Sequence, residues 1–234
     1  MKKVVVKYPH SSRTICIPTE EKYLKCSVIK RFNKGGVWEK RLTKMMYKDT
    51  VPRTIAIDIG ANVGAHSISM LDKVGENGYL IAFEPQQKLA ECLNNTLSYI
   101  NKNYIVSSEL VSNTNSSSIF RSNGTGRSRI PLESSKFTSS WAKNTIKTTT
   151  LDTFLTKLHL NLPNLQVSII KIDVEGHEFQ VLEGAKETIK KHKPIIYIEV
   201  WKNVSSRVKL LNWCCNNKYS ITPVSSTDFK LFPN

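Results

Sequence analysis

Apolar runs separated by glycine, proline and polar clusters set the rhythm of this chain. Residues 4–6 (VVV) and 14–17 (TICI) flank the turn residues Pro9, His10 and Ser11, and they predict two short strands. Residues 23–29 fit another strand or a short helix. After Gly35 and Gly36, Val37, Leu42, Met45 and Met46 share one side of a helix over residues 37–47, opposite Lys40, Arg41 and Lys44. Such a face suits core packing or contact with a membrane surface.

From residue 54 the pattern changes. TIAIDIG is an apolar strand without strict alternation, as a parallel strand covered on both faces requires. Helical sequence follows Gly64, then a strand at 78–83, a helix at 86–100 and a strand at 104–110. Residues 112–147 break the rhythm. They are rich in Ser, Asn, Thr and Gly, and predict an excursion with one or two short strands. Order returns with a helix at 150–160 capped by Thr150, a strand at 167–172, a helix at 179–191 and a strand at 195–200. A helix at 205–215 and an antiparallel pair at 219–223 and 229–232 close the chain. Strand, helix, strand at this spacing predicts a doubly wound α/β fold.

The 234 residues suffice for one sizeable core, and 40% hydrophobic content excludes a wholly disordered chain. The net charge of +15 is concentrated at the front, so residues 1–50 read as a basic cap and 51–234 as the main domain, with a polar insertion at 112–147. That field can attract nucleic acid, a nucleotide-bearing donor or an anionic membrane surface. Five cysteines with no Cys-x-x-Cys pair argue against a disulfide framework and a metal-thiolate site, and for a reducing compartment. No membrane-length apolar run is present, and the expectation is a soluble, cytoplasmic protein.

The densest chemistry follows the TIAI strand, in Asp58-Ile59-Gly60-Ala61-Asn62-Val63-Gly64. Gly60 and Gly64 allow a turn and a close backbone approach, and the next helix start offers free N–H groups. Asn62 stands where a dinucleotide fingerprint has its second glycine. Asp58, at a strand end, would repel a pyrophosphate but can pair, directly or through water, with the ammonium of a zwitterionic amino-acid moiety such as that of S-adenosylmethionine. Glu84 ends the strand GYLIAFEP, where a carboxylate can accept two hydrogen bonds from ribose hydroxyls.

A second cluster lies in KIDVEGHE. Lys171 and Asp173 alternate with Ile170 and Ile172, and Asp173 sits where the strand leaves the sheet, followed by Glu175, Gly176, His177 and Glu178. Asp173 or His177 can serve as the base that deprotonates a hydroxyl attacking an electrophilic methyl group. Glu178, in the first turn of a helix, has a structural use as well. Glu199 ends the strand PIIYIEV beside Asp173, where it can orient an acceptor, bind a metal with Asp173 or pair with Lys171. Asp173, Glu199 and His177 have the chemistry to ligate a divalent ion, but a carboxylate alone suffices as base, so the metal stays open. Trp201 or Trp141 can supply an aromatic platform for a sugar ring.

DIGANVG, AFEP, TTLDTFL, KIDVEGHEFQVLEGA and PIIYIEV, in this order and spacing, resemble the FkbM family of S-adenosylmethionine-dependent methyltransferases. The resemblance implies a Rossmann-like class I fold: a seven-stranded, mostly parallel sheet with helices on both faces and the last strand antiparallel. It implies O-methylation, often of sugar or polyketide-type hydroxyls. Carried onto this chain, Asp58, Gly60, Asn62 and Gly64 form the cofactor loop, Glu84 holds ribose, and Asp173, Glu175, His177 and Glu199 line the active site. Trp38-Glu39 resembles an aromatic-Glu pair of the family, which brings Glu39 over the cofactor or acceptor. The stretch Glu109-Leu110-Val111-Ser112-Asn113 departs from the family's pattern, so no adenine contact is assigned there.

The expected activity is O-methylation of a sugar or glycan. The alternative is an RNA ribose 2'-O-methyltransferase, whose Lys-Asp-Lys-Glu set would need Asp173, Glu199 and Lys34 or Lys40, while Lys186, Lys190 and Lys191 lie too far along the helix. A third class is a non-enzymatic nucleic-acid-binding module on the same scaffold. Oligomeric state is not legible in the sequence.

Overall fold

The structure is a computed structural model that describes residues 1–100, 103–122, 142–158 and 165–234. It opens with a hairpin of β1 (Lys2–Lys7) and β2 (Ser12–Ile17), antiparallel with Val4 opposite Ile15. The stretch 23–29 falls in two short helices, α1 (Glu21–Leu24) and α2 (Ser27–Asn33), which bury Tyr23, Ile29 and Phe32, with Cys26 buried in the extended step between them. The next helix, α3 (Lys40–Asp49), starts later than its apolar pattern suggests, because Glu39 is in the left-handed conformation and interrupts the run.

The main sheet follows. β3 (Ile55–Ile59) leads to α4 (Ser67–Val74), β4 (Tyr79–Phe83), α5 (Gln87–Leu97) and β5 (Tyr104–Ser107). The strand expected at 104–110 divides here: β6 (Leu110–Val111) turns away to pair with a strand of the excursion. That excursion contains β7 (Ser117–Ser122) and β8 (Ala142–Thr149), antiparallel to each other. Its centre, with Trp141, lies outside the described residues. Thr150 caps α6 (Leu151–Lys157) as expected, its hydroxyl accepting the Thr153 N–H at 3.0 Å.

After β9 (Val167–Ile172), the helix expected at 179–191 is two: α7 (Glu178–Gly184) and α8 (Lys186–His192). The break at Ala185 is invisible in the apolar pattern because Val181, Leu182, Ala185 and Ile189 all stay buried across it. It comes where the chain is pressed against the segment after β6. A Cβ on Gly184 would lie 1.9 Å from the Ser112 carbonyl oxygen. Gly184→Ala is therefore expected to cost about 1–3 kcal/mol in a urea titration, as overpacking does; an unchanged midpoint would show that the contact yields.

The chain ends with β10 (Ile195–Glu199), α9 (Val204–Asn217), β11 (Tyr219–Pro223) and β12 (Asp228–Pro233). The seven-stranded sheet runs β11-β12-β10-β9-β3-β4-β5, parallel from β10 to β5, with β12 antiparallel to both its neighbours. The strand order reverses between β3 and β9, so their carboxyl ends open the crevice where doubly wound sheets bind ligands.

Both faces are covered, which is why the central strands do not alternate. Ile55, Ile57, Ile59, Ile170, Ile172, Ile196 and Ile198 point into one core with residues of α6, α7, α8 and α9. Ala56, Ile169 and Tyr197 point the other way, into a core shared with Val6, Ile15, Phe32, Met46, Ile68 and Leu93. The basic front segment thus packs on the sheet through apolar side chains, and its lysines face outward. Among the described residues no helix is long and apolar enough to cross a membrane.

Candidate active site

Strand register places the first charged group. Asp58 on β3 stands opposite Lys171 on β9, and because Ile57 and Ile59 face one core, both charged side chains face the other. Asp58 has no exposed surface. Its carboxylate lies 3.2 Å from the Lys171 ammonium and accepts the Ser67 hydroxyl at 2.5 Å. Lys171 also donates to the Gly60 carbonyl at 3.1 Å and lies 3.4 Å from Asp173. Burial works against its charge, but Asp58 and Asp173 outweigh that and hold its pKa above the ordinary lysine value. Lys171 is thus a fixed cation that ties β3, the loop after it and the end of β9 together.

That loop turns at Gly60, with φ of +84°, and packs so closely that a Cβ there would lie 1.8 Å from the Asp173 carbonyl oxygen. The Asp173 N–H in turn donates to Ile59 at 3.0 Å. Asn62, also at positive φ, accepts its neighbour's N–H from Val63 through its side chain and donates its own backbone N–H to Glu84 at 2.9 Å. Glu84 takes a second N–H from Gln86 at 2.8 Å. Burial pushes its pKa up to about 7, against the pull of those two donors. Two N–H groups leave part of a carboxylate's acceptor capacity open.

The carboxyl ends of β3, β4, β9 and β10 and the segment before α3 enclose a cleft of about 500 Å³. This lies within the roughly 300–1,000 Å³ common for small-molecule sites. Of the residues anticipated from sequence, Gly60, Asn62, Glu84, Glu39, Lys171, Asp173, Glu175, His177 and Glu199 all line it. Asp58 and Gly64 do not. Asp58 is committed to Lys171 and Ser67 behind the loop, and Gly64 packs against the Leu93 side chain. Asp58, expected to pair with a ligand ammonium directly or through water, makes its contacts here with the lysine that holds the loop.

At one end of the cleft the carboxylates of Asp173, Glu175 and Glu199 place oxygens within 4.8 Å of one another, close enough to share a proton or a divalent cation. Burial alone would raise Asp173, but Lys171 and a hydrogen bond with Glu199 keep its pKa below the ordinary carboxyl value. Glu199 moves the other way, raised first by burial and then by the charge of Asp173. Of the two, Asp173 is the one whose charged form Lys171 favours and Glu199 the one whose charged form burial and Asp173 disfavour. His177 bonds to the Ser112 hydroxyl at 3.0 Å through Nε2, and burial pushes its pKa down to about 4, so it is neutral at pH 7. Glu178 is structural, its carboxylate accepting the Gly176 N–H at 2.8 Å while almost fully buried.

Sequence reasoning missed His66, Glu109, Leu110, Val111 and Phe120, which line the cleft as well. Phe120 comes from the polar excursion, where nothing in the composition marks it as buried. Glu109 is ion-paired with Lys147 across the same excursion. Trp38 lines the cleft, whereas Trp201 packs outside it over the Gly176 turn.

The family model described as "Methyltransferase FkbM domain" matches residues 58–225, which spans the loop after β3, Glu84, the KIDVEGHE turn and Glu199. A solved FkbM methyltransferase from Methylobacillus flagellatus KT superposes with a TM-score of 0.51 at 15% identity. It covers 92% of this chain, which spans only 55% of that protein's length. A structure from Clostridium thermocellum assigned as an rRNA methylase gives a TM-score of 0.51 at 9% identity, covering 82% of this chain and 91% of its own. At such identities the likeness speaks to the fold. No curated protein sequence matches the chain. With the class I sheet order and a family match over most of its length, the chain belongs to the FkbM family of S-adenosylmethionine-dependent methyltransferases.

Proposed function

We propose that the chain transfers a methyl group from S-adenosylmethionine to a hydroxyl of a sugar or glycan, with Asp173 as the base. The observation that carries this is geometric: Asp173 stands at the cleft's edge 3.4 Å from the Lys171 ammonium, with oxygens of Glu175 and Glu199 within 4.8 Å of its own. The residues present fit the cofactor. Glu84 keeps acceptor capacity for ribose hydroxyls, and Leu110, Val111 and Phe120 offer an apolar wall for a base. When bound, S-adenosylmethionine supplies a methyl group on a positively charged sulfur that leaves as a neutral thioether.

The leaving group therefore needs no acid, and the work of the chain is alignment and proton removal. Asp173 accepts the hydroxyl proton and offsets the positive charge that grows on the acceptor oxygen. Glu199 donates to Asp173 and fixes its orientation. His177 is the weaker candidate, since its Nε2 is occupied by Ser112.

The charge of the cleft favours a sugar over RNA. Six acidic side chains line it, Glu39, Glu84, Glu109, Asp173, Glu175 and Glu199, against Lys25 and Lys171. A phosphate backbone would meet repulsion at the reacting end. Incubation with methyl-labelled donor and either oligosaccharides or RNA tests this: label on a saccharide hydroxyl is expected, and label on RNA alone would overturn it. Turnover lost to a chelator and restored by magnesium would add a cation at the three carboxylates.

Glu84 gives the reading a pH signature. Its ionised form accepts ribose hydroxyls, so affinity for S-adenosylhomocysteine is expected to rise with pH by up to about tenfold per unit between pH 5 and 7, then level off. In the free chain the sign is opposite: a carboxyl raised above its unfolded value contributes stability at low pH that is lost as pH rises toward 7. Titration calorimetry from pH 5 to 8 checks the first trend, and a Glu84→Gln variant should flatten it. A flat wild-type profile would remove Glu84 from the ribose site.

A further inference from the structure

We propose that His66 is a positioning residue that holds Glu39 in the cleft wall for the cofactor. The inference rests on the reading that this cleft takes S-adenosylmethionine. His66 follows the glycine loop at the entry to α4, is 4% exposed, and lines the cleft. Its Nε2 lies 3.1 Å from Glu39 Oε2 and its Nδ1 lies 3.2 Å from the Thr43 hydroxyl.

Hydrogen-bond bookkeeping assigns the protons. The Thr43 hydroxyl reaches both the Trp38 carbonyl at 3.0 Å and His66 Nδ1 at 3.2 Å and can donate to either. A bare Nε2 lone pair facing a carboxylate oxygen at 3.1 Å would be repulsive, so Nε2 carries the hydrogen that Glu39 accepts. The imidazole thus spans two elements: one nitrogen anchors to α3 through Thr43, and the other orients the carboxylate that precedes α3.

Glu39 needs such a hold. It sits in the left-handed backbone region with φ of 41°, directly before the helix, and its side chain is 38% exposed toward the cleft. A half-exposed glutamate without a rigid partner would sample several rotamers. Clamped, it stays on the wall shared by the main cleft and the recess lined by Asp173, Glu199 and Asp228. A carboxylate fixed there suits the cationic end of a sulfonium amino acid.

Two substitutions separate the roles of the two nitrogens, because a glutamine amide reaches the Nε2 position and an asparagine amide the Nδ1 position. His66→Gln keeps a donor toward Glu39 and is expected to bind S-adenosylhomocysteine within about threefold of wild type. His66→Asn keeps only the Thr43 contact and is expected to bind about tenfold more weakly or worse, as is Glu39→Gln, which leaves the core untouched. In the Glu39→Gln background, His66→Asn should add less than about twofold. Calorimetry gives the affinities and thermal melting gives stability. Equal binding by all variants, additive losses in the double variant, or affinity that follows the melting temperature would overturn the inference. Absence of binding by the wild-type chain would overturn the cofactor reading, and the inference with it.

Discussion

Replacing Lys171 by methionine is expected to remove about 3–5 kcal/mol of folding stability, the cost of leaving a buried charge without its partner. Asp58 has no exposed surface and keeps only the Ser67 hydroxyl when the ammonium 3.2 Å away is gone. The Gly60 carbonyl loses its donor as well. Since a domain's whole stability is about 5–15 kcal/mol, the variant should be marginal at 25 °C. The double variant Lys171→Met with Asp58→Leu should recover much of the loss, because two apolar groups of similar volume no longer carry the desolvation cost. Urea titration reads both. A single variant within 1 kcal/mol of wild type would mean that Asp58 finds another partner.

Asp173→Asn is expected to act on turnover instead. The side chain keeps its shape, and the backbone bond to Ile59 stays. The negative charge that Lys171 stabilises beside Glu199 disappears. Loss of a positioned base costs about 10²–10⁴-fold in rate. Affinity for S-adenosylhomocysteine should change by less than about tenfold. His177→Asn should cost about tenfold or less in the same assay, because its Nε2 is taken by Ser112 and burial already holds it neutral. The reverse order of losses would make His177 the base.

The doubly wound character was legible because apolar strands and helices alternate and because glycine turns and acidic residues mark the strand ends; the seven strands and the antiparallel last one came from the family resemblance. The orientation of Asp58 was not. Its strand lacks alternation, so the sequence does not say that Ile55, Ile57 and Ile59 share one face and Asp58 the other. Only the neighbouring strand, with Lys171 in register, turns a residue that reads as a ligand contact into an internal strut. His66 and Phe120 escaped for a different reason. Their roles depend on Glu39 and on the excursion folding back over the cleft, contacts between segments far apart in the chain. The break between α7 and α8 depends on a backbone approach from Ser112, which no local pattern records.

The chemistry depends on one arrangement: a sulfonium nucleoside lying from Glu84 to the carboxylates at the ends of β9 and β10. A crystal structure with S-adenosylhomocysteine bound measures it directly. The account predicts ribose hydroxyls on Glu84 and the sulfur facing the Asp173 and Glu199 edge. A nucleoside bound in the reverse direction, or away from this cleft, would contradict it.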